Sequence, residues 1–463
     1  MDYDYDFITI GSGPAAQRAA VQAAKTGRRV AVVERTRVVG GVCVTTGTVP
    51  SKTFREAVLS VSAQTPGEDW EDGFPPMDLL RSRVESVLER EVKVIEHQLQ
   101  RNGIRLIHGQ ASFVDAHTLR VVDEEGEQTV TADKILIACG SRSTEPKEVE
   151  CDGRLVVTSD DILCIPSVPR TMVVVGAGVI GIEYASMFAA LGTEVVVVDG
   201  RQRPLEFLDR EIVDQLVHEL RNRDVVFRFE ETVAKVSKRD GDPPKGVVEL
   251  ASGKRFIADL VLFSIGRRGA TDGLDLEAAG LAPDDRGRVS VDECYRTEVK
   301  NILAAGDVIG FPSLAATSSR QGRLAACHAF GHDVSTEMTN FPFGIYSIPE
   351  LSMVGSTEKA LTDEKVPYEF GVARYRETVR GHILGDDDGL LKILIHRETE
   401  ELLGVHIIGT QATELIHIGQ AVIRLGGGLD YFLDTVFNYP TLAECYKIAA
   451  LDVFNKLNED LAE

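Results

Sequence analysis

The residues with the clearest chemistry in this chain lie in a glycine-rich turn, GSGPAA, that follows an apolar segment near the N-terminus. Gly11 permits a tight bend, Gly13 lets the backbone approach a pyrophosphate, and Ala16 is small enough for close packing of a helix on a strand. A pyrophosphate there would lie at a helix N-terminus, where unpaired N–H groups and the helix dipole favour anions. Glu34, at the end of the next apolar segment, is placed to accept a hydrogen bond from a ribose hydroxyl.

A second turn, GAGVIG, repeats this pattern in the middle of the chain. Its small residues stand at the same spacing: Gly176, Gly178 and Gly181. The predicted strand that follows ends at Asp199, which suits the free ribose 2′-hydroxyl of NAD. Arg201 and Arg203 lie in the next loop and suit the 2′-phosphate of NADP, because a guanidinium fork matches phosphate geometry. The presence of both Asp199 and these arginines predicts that the site uses both NAD and NADP. The alternative is a solvated surface loop of mixed charge.

Each turn lies inside a segment that predicts a βαβ unit, at 5–34 and at 171–199. The order in both is apolar strand, glycine turn, helix, apolar strand and acidic residue, and near-continuous apolar strands are typical of buried parallel sheets. Two copies in this context favour two dinucleotide sites over glycine turns that bind no nucleotide. Between the copies, the pattern predicts an amphipathic helix at 77–101, a small meander at 104–131 and a strand at 134–138.

Composition and charge narrow the class of protein. The 463 residues are 43% apolar and 26% charged, as expected for a globular protein of about three domains. The net charge of −22 argues against nucleic acid and an anionic membrane surface as partners. No apolar run approaches ~18 residues, so we expect no membrane-spanning helix. The seven cysteines contain no CxxC pair and the chain has no HExxH motif, so we expect no metal site. Scattered thiols and the lack of a signal-peptide pattern predict a cytoplasmic location.

Taken together, the motifs resemble those of the pyridine nucleotide-disulfide oxidoreductases, which include dihydrolipoamide dehydrogenase and glutathione reductase. The matching stretches span nearly the whole chain: GSGPAA, GGVC…GTVPSK, GAGVIGIE, AAGDVIG and YPTLAE. The resemblance implies an α/β fold with two Rossmann-like dinucleotide-binding domains, for FAD and NAD(P), and a C-terminal α+β dimerisation domain. The segments that it predicts are 1–150 (FAD, first part), 151–269 (NAD(P)), 270–340 (FAD, return segment) and 341–463 (dimerisation).

Two positions depart from the disulfide-reducing members of that family. Those enzymes carry two cysteines, five positions apart, that form a redox-active disulfide beside the flavin. Here the first is Cys43 and the second position holds Thr48, whose hydroxyl cannot form a disulfide. They also keep a histidine before Pro-Thr that belongs to the partner subunit and shuttles protons. Here that position holds Tyr439, although the following acid is kept as Glu444.

Both losses are consistent with hydride exchange between nicotinamides, because that reaction transfers no net proton, whereas disulfide reduction consumes protons. The alternative is an inactive relative. Within the family the chain most resembles the soluble, Si-specific NAD(P)+ transhydrogenases, through EYASMFAALGT, AAGDVIGFPSLAATS and FNYPTLAE. That resemblance implies non-covalent FAD, a homodimer or larger assembly, and ping-pong transfer from NADPH or NADH to NAD+ or NADP+.

Three rival functions stay open from the sequence. One is an NAD(P)H dehydrogenase that reduces quinones or dyes, which also needs no dithiol. A second is a true disulfide reductase, for which no second redox cysteine offers itself nearby. A third is a dinucleotide-binding sensor or scaffold without turnover.

The resemblance also assigns roles to particular residues. Lys52 is expected near flavin N5, paired with Glu183, and Cys43 near one face of the ring, where it either packs or acts as a lone thiolate. Asp307 is expected to bind the ribityl or phosphate region, and Arg267 to lie in a loop that contacts the adenosine half of the nicotinamide nucleotide. The full set of expected cofactor contacts is Gly11, Gly13, Pro14, Ala16, Glu34, Arg35, Gly40, Gly41, Val42, Cys43, Lys52, Gly140, Gly176, Gly178, Ile180, Gly181, Asp199, Arg201, Arg203, Gly266, Arg267, Gly306 and Asp307.

Overall fold

The structure is a computed structural model that describes residues 2–64, 73–146, 149–241, 243–336 and 338–458. The strands are, in chain order, β1 (Tyr5–Ile10), β2 (Val30–Glu34), β3 (Arg105–His108), β4 (Gln110–Phe113), β5 (Thr118–Val122), β6 (Glu127–Ile137), β7 (Ser141–Ser143), β8 (Val156–Thr158), β9 (Thr171–Val175), β10 (Glu194–Asp199), β11 (Val226–Phe229), β12 (Val233–Arg239), β13 (Lys245–Leu250), β14 (Arg255–Ala258), β15 (Leu260–Phe263), β16 (Arg267–Gly269), β17 (Ile302–Ala304), β18 (Phe343–Ile345), β19 (Leu351–Gly355), β20 (Tyr368–Arg374), β21 (Leu390–His396) and β22 (Leu402–Ile408). The helices are α1 (Pro14–Lys25), α2 (Val42–Thr45), α3 (Thr48–Gln64), α4 (Met77–Arg101), α5 (Val179–Ala190), α6 (Arg210–Asn222), α7 (Ala315–Ala329), α8 (Glu358–Asp363), α9 (Val379–Leu384), α10 (Ala412–Arg424), α11 (Leu429–Asp434) and α12 (Glu444–Leu457).

The contacts divide the chain into two compact units, each built from three stretches of sequence. The first unit takes the described residues of 1–57, 75–167 and 265–338, and the second those of 58–74, 168–264 and 339–463. Both contain one of the predicted βαβ units, with β1 parallel to β2 in the first and β9 parallel to β10 in the second. The predicted α/β fold class is therefore confirmed, whereas the four predicted segment boundaries stay predictions.

The first unit is built on a sheet whose core is the parallel set β3–β2–β1–β6–β17. Strand β6 also pairs antiparallel with β5, and β5 with β4, which forms the expected meander. The separate strand expected at 134–138 is instead the second half of β6. The burial of β6 explains the difference, because its first half is partly exposed and its last three residues are fully buried, as in a parallel sheet covered on both faces.

Small residues bring helices α1 and α7 of this unit into close contact. A Cβ on Gly322 of α7 would collide with the backbone carbonyl of Ala15 in α1. The faces of α1 and α7 contribute mainly alanines to one buried cluster. This packing fixes the N-terminal end of α1 beside the sheet, where the first glycine turn lies.

The second unit contains two larger sheets and a small one. The parallel set β11–β10–β9–β15 carries the second glycine turn, and β12–β13–β14 form an antiparallel ribbon. The C-terminal part is an antiparallel sheet in the order β18–β19–β22–β21–β20. Its buried cluster also includes residues of α10 and α12. Among the described helices, none combines the length and the apolar character that crossing a membrane would require.

Candidate nucleotide sites

The first glycine turn connects the end of β1 to the start of α1. Gly11 has φ +101°, and a Cβ there would collide with the carbonyl oxygen of Ala138, so both its conformation and its space require glycine. Gly13 differs, because its φ of −68° is ordinary and the nearest described atom to an added Cβ, Gly40 O, is 4.0 Å away. No side chain caps the N-terminus of α1. Its first N–H groups therefore face open space, which suits an anion.

A cleft of about 1130 Å³, counting its open mouth, opens in front of this helix end. Most of the residues expected at the flavin lie in its wall: Gly11, Gly13, Pro14, Glu34, Arg35, Gly41, Val42, Cys43, Gly140, Gly306 and Asp307. Ala16 lies beneath, fully buried in the cluster shared by α1 and α7. Gly40 is also behind the wall, where a Cβ would collide with Val44.

Several polar residues of the cleft were not predicted from the sequence. They are Ser12, Thr36, Thr45, Gln110, Ser141, Ser313 and Ser318. Ser12 could have been found, because it lies between Gly11 and Gly13 inside the glycine motif itself. Gln110 and Ser141 have no local signal, since they arrive at the cleft through the sheet rather than through a motif.

Glu34 ends β2 at the edge of the cleft and is almost fully held by the chain itself. One oxygen accepts hydrogen bonds from Ser12 N at 3.1 Å and Ser12 Oγ at 2.6 Å, and the other accepts from Thr36 N at 3.0 Å and lies 3.1 Å from Thr36 Oγ1. The Thr36 hydroxyl also lies 2.8 Å from the carbonyl of Val38. A hydroxyl has one proton, so donation to Val38 leaves a carboxylate lone pair open to a ribose hydroxyl. The expected role of Glu34 is compatible with this geometry.

On the other side of the cleft, Asp307 follows β17 and accepts a hydrogen bond from Ser141 Oγ at 2.7 Å. The preceding Gly306 donates its N–H to the buried side chain of Gln321 at 2.9 Å, which ties this turn to α7. Helix α7 begins at Ala315, and Ala315 and Ser318 line the cleft. The N-terminal end of α7 therefore faces the same cavity as that of α1.

Cys43 and Thr48 are neighbours in space as well as in the motif. Burial raises the pKa of the Cys43 thiol, and a hydrogen bond with Thr48 and the charge of Lys52 only partly offset this effect. The thiol is therefore protonated at neutral pH. Of the two roles expected for Cys43, this environment favours packing over a reactive thiolate.

Lys52 and Glu183 belong to different units, and their expected pairing stays a prediction. Lys52 lies in the first turns of α3, with its Nζ 3.3 Å from Ser51 Oγ. Glu183 is buried in α5, and its carboxylate accepts the backbone N–H of Tyr346 at 2.9 Å. A glutamate this deeply buried is unusual, and its hydrogen bond from Tyr346 connects α5 to β18 and the residues after it.

The second glycine turn reproduces the first. Gly176 has φ +105°, and a Cβ there would collide with the carbonyl oxygen of Ser264. A Cβ on Gly181 would collide with the carbonyl oxygen of Gly176. Gly178 has an ordinary φ of −79°, and no described atom lies within 4 Å of an added Cβ. The N-terminus of α5 has no side-chain cap either. Ile180 lies half-buried in the first turn of this helix. The geometry again leaves open space for a group that approaches the helix end.

Asp199, at the end of β10, is fully engaged by its neighbours. One oxygen accepts from Ala177 N and Arg201 Nη2, both at 2.6 Å, and the other accepts from Arg201 N at 2.8 Å and Nε at 2.9 Å. Burial raises the pKa of Asp199, but the hydrogen bonds from Arg201 and Ala177 outweigh it and leave the pKa below its usual value. The two residues expected to recognise different nucleotides are thus bound to each other.

Arg203 and Arg267 lie in different surroundings. Arg203 is half-buried, and no ion-pair partner of it is found within the part of the chain that the structure describes. Arg267 does not lie in a loop as expected, but in the short strand β16, which pairs antiparallel with β7. Gly266, just before it, has φ +113° and no described atom within 4 Å of an added Cβ. The guanidinium of Arg267 donates hydrogen bonds to Ser141, Ser143 and Asp160. Its expected contact with an adenosine stays a prediction.

The C-terminal part holds the second departure from the family pattern. Tyr439 is 63% exposed, just before α12. Glu444, the first residue of α12, accepts the N–H of Thr441 at 3.3 Å. Other large apolar side chains of this region are exposed as well, including Val436 and Phe454.

Comparison with protein-family models gives two matches that together cover most of the chain. Residues 5–322 match the model described as pyridine nucleotide-disulphide oxidoreductase. Residues 341–450 match the model described as the dimerisation domain of the same group. The resemblance inferred from the motifs is therefore confirmed.

Curated relatives and solved structures agree with that result. The chain is 53% identical, over 98% of both sequences, to a soluble pyridine nucleotide transhydrogenase of Mycobacterium bovis. It is 44% identical, over 98% of this chain and 99% of the relative, to a soluble pyridine nucleotide transhydrogenase of Marinomonas sp.. Among solved structures it is similar to the HOCl-induced flavoprotein disulfide reductase RclA from Escherichia coli, with a TM-score of 0.88, 27% identity, and coverage of 96% of this chain and 99% of that one.

Proposed function

Because the chain belongs to the pyridine nucleotide-disulphide oxidoreductase family, we propose that it is a flavoprotein transhydrogenase that exchanges hydride between NADPH and NAD+. The observation that carries the proposal is the pairing of Cys43 with Thr48 instead of with a second cysteine. The name shared by relatives at 53% and 44% identity supports it.

The first cleft fits FAD. The uncapped N-terminus of α1 suits the diphosphate, Glu34 has a lone pair within reach of a ribose hydroxyl, and Asp307 offers a carboxylate to the ribityl chain. When bound there, FAD would supply a two-electron acceptor that can take up and return hydride. The chain's own contribution is to hold the cofactor without a covalent bond and to exclude water from its surroundings.

The chemistry around Cys43 suits hydride exchange better than disulfide reduction. A thiol whose pKa is raised by burial holds its proton at neutral pH, and its hydrogen-bond partner Thr48 cannot accept electrons. Hydride exchange leaves no net proton to be moved. The exposed Tyr439 in place of a histidine is consistent with this, since a tyrosine is a poor general acid or base at neutral pH.

The second glycine turn is the proposed site for both pyridine nucleotides, with the nicotinamide directed towards Val179, Ile180 and Glu183. We expect NADPH and NAD+ to occupy this site in alternation, which is the basis of the proposed ping-pong order. The Asp199–Arg201 pair supports use of both. With NADPH, Arg201 would turn to the 2′-phosphate. With NADH, a shift of the partly exposed Arg201 side chain would free Asp199 to accept the 2′-hydroxyl.

The family match and the cysteines support a proposal for the assembly and the location. A homodimer or larger assembly through 341–463 is supported by the match of that segment to a dimerisation domain. A cytoplasmic location is supported by seven cysteines that are all free of disulfides. The Si-specific side of hydride transfer follows from the resemblance alone.

Anaerobic stopped-flow spectroscopy tests the proposal directly. NADPH should bleach the flavin absorbance of the purified protein, and NAD+ added in a second mixing step should restore it. A steady-state comparison of thio-NAD+ with a quinone as acceptor separates transhydrogenation from quinone reduction. Flavin that NADPH cannot bleach, or bleached flavin that NAD+ cannot reoxidise, would contradict the proposal.

A further inference from the structure

A chain of hydrogen bonds runs from Asp307, in the wall of the first cleft, back into the protein. Ser141 Oγ donates to Asp307 at 2.7 Å, and Arg267 Nε donates to Ser141 Oγ at 2.9 Å. An arginine can only donate, so the single proton of the Ser141 hydroxyl must point at Asp307. Arg267 thereby fixes the direction of the hydrogen bond that orients the carboxylate.

The other edge of the same guanidinium leads to the segment that carries Cys43. Arg267 Nη1 donates to Asp160 Oδ1 at 3.2 Å, and Thr46 Oγ1 donates to the same oxygen at 3.4 Å. The second oxygen of Asp160 accepts the N–H of Ser143 at 3.2 Å. Thr46 directly follows the short helix α2, which contains Cys43. One ion pair thus connects the two walls of the cleft.

The contacts of Arg267 leave it little capacity to bind a nucleotide. Besides the bonds to Ser141 Oγ and Asp160, Nη1 donates to Ser143 Oγ at 3.2 Å and Nη2 to the Ser141 carbonyl at 2.9 Å. Four of its five N–H groups are therefore committed. The side chains of Arg267 and Asp160 are 21% and 29% exposed. Neither residue lies in the wall of the cleft.

We infer that Arg267 and Asp160 are positioning residues for the cleft, which hold Asp307 and the Thr46 end of the Cys43 segment in one fixed arrangement. The inference rests on the proposed FAD site and goes beyond it, because it moves Arg267 from nucleotide recognition to support of the flavin. Without Arg267, Ser141 could rotate its proton away from Asp307, and without Asp160 the Thr46 end of α2 would lose its link to β7 and β16. Flavin affinity and the flavin environment should change, and recognition of the nicotinamide nucleotide should not.

Three variants and one control test this role: Arg267→Met, Asp160→Asn, the double variant, and Arg268→Met. Arg268 is the next residue on β16, so its side chain points to the other face of the strand, and its carboxylate partner is Asp272 at 3.8 Å. The measurements are the dissociation constant of FAD, the visible flavin spectrum, the flavin reduction potential, and KM and kcat for NADPH.

Each network variant should weaken FAD binding roughly tenfold, as expected for loss of a charged hydrogen bond, with a shifted flavin spectrum and potential and a KM for NADPH within about twofold of wild type. Because the two residues form one pair, the double variant should be no worse than the worse single variant. Arg268→Met should behave as wild type. Arg267→Lys, which keeps the charge but not the fork, should give an intermediate FAD affinity even if the methionine variant folds poorly.

The opposite pattern would overturn the inference. It would consist of unchanged FAD affinity with a KM for NADPH raised tenfold or more, or of losses in the two single variants that simply add. Failure of the proposed function would be seen separately, in wild-type flavin that NADPH does not bleach. The two ideas therefore fail in different measurements.

Discussion

Replacement of Arg201 by alanine should change which nucleotide reduces the flavin. In the structure, Arg201 provides two side-chain hydrogen bonds to Asp199, through Nε and Nη2, and its side chain is 43% exposed. Arg201→Ala removes the proposed phosphate ligand and also uncovers the Asp199 carboxylate. NADPH therefore loses an attraction and meets a repulsion, whereas the 2′-hydroxyl of NADH gains an acceptor.

The size of the effect follows from the bonds involved. A hydrogen bond to a charged group contributes about 1.5–3 kcal/mol, and each 1.36 kcal/mol changes an affinity roughly tenfold. The loss for NADPH is thus roughly 10- to 150-fold, and solvent exposure of Arg201 places it near the lower end. For NADH the affinity should be unchanged or higher, because Asp199 then has lone pairs free for the ribose.

Anaerobic stopped-flow reduction of the flavin by each nucleotide measures this ratio without interference from the second half-reaction. Arg203→Ala is the matched comparison, since Arg203 lies in the same loop but makes no contact with Asp199 among the hydrogen bonds of the described residues. It should weaken NADPH alone, with no gain for NADH. Equal losses for NADPH and NADH in Arg201→Ala would refute the assignment of the pair to nucleotide selection.

Three further predictions concern other parts of the molecule. Gly178→Ala should raise KM for both pyridine nucleotides several-fold at unchanged melting temperature, because its Cβ enters only the open space. Gly181→Ala, three residues on, should instead reduce stability by about 1–3 kcal/mol, because its Cβ overlaps with Gly176. The opposite assignment of the two effects would show that the space at Gly178 is not a ligand site. Alkylation of Cys43 by iodoacetamide should be slow at pH 7, and its rate should still increase with pH above the ordinary thiol pKa of about 8.5. The exposed Cys164 should react faster. A rate that stops increasing below pH about 8.5 would contradict the raised pKa. Lys392→Met should destabilise the C-terminal part by about 3–5 kcal/mol, since buried Asp209 loses its partner, whereas Lys359→Met at an exposed pair should change stability by under about 1 kcal/mol. The pKa of Asp209 is raised by burial but lowered further by His406 and Lys392, so the stability that it contributes exists above its unfolded pKa and is lost as the pH falls. The difference in melting temperature between wild type and Lys392→Met should therefore shrink in acid, and a difference that grows in acid would contradict this.

The sequence was sufficient where the structure depends on local pattern. Both βαβ units and the helix at 77–101 follow from periodicity and glycine spacing over short windows, and the structure contains them at nearly the expected bounds. The predicted boundary between the meander and the strand at 134–138 was wrong, because both belong to the single strand β6. This strand pairs with β5 in its first half and with β1 in its second half, and its burial pattern changes halfway along. A change of pairing partner inside one strand leaves no turn residue to mark it.

The residues of the candidate site also fall into those with local partners and those with distant partners. Only roles that depend on local partners could be predicted from the sequence. Glu34 and Asp199 contact residues within or just beyond their own βαβ units, such as Ser12 and Ala177, so a motif of some 30 residues contains most of the interaction. The Arg267 network joins positions 107 to 166 residues apart, through Asp160, Ser141 and Asp307. No periodicity reports such a contact, and the loop expected for Arg267 came from the family resemblance. A motif therefore suggests a role only with the ligand that the same motif binds. The hydrogen bonds of a residue show which part of the site it supports. For Arg267 those bonds lead to the flavin cleft, and the separation of FAD affinity from KM for NADPH in its variants is the measurement that distinguishes the two roles.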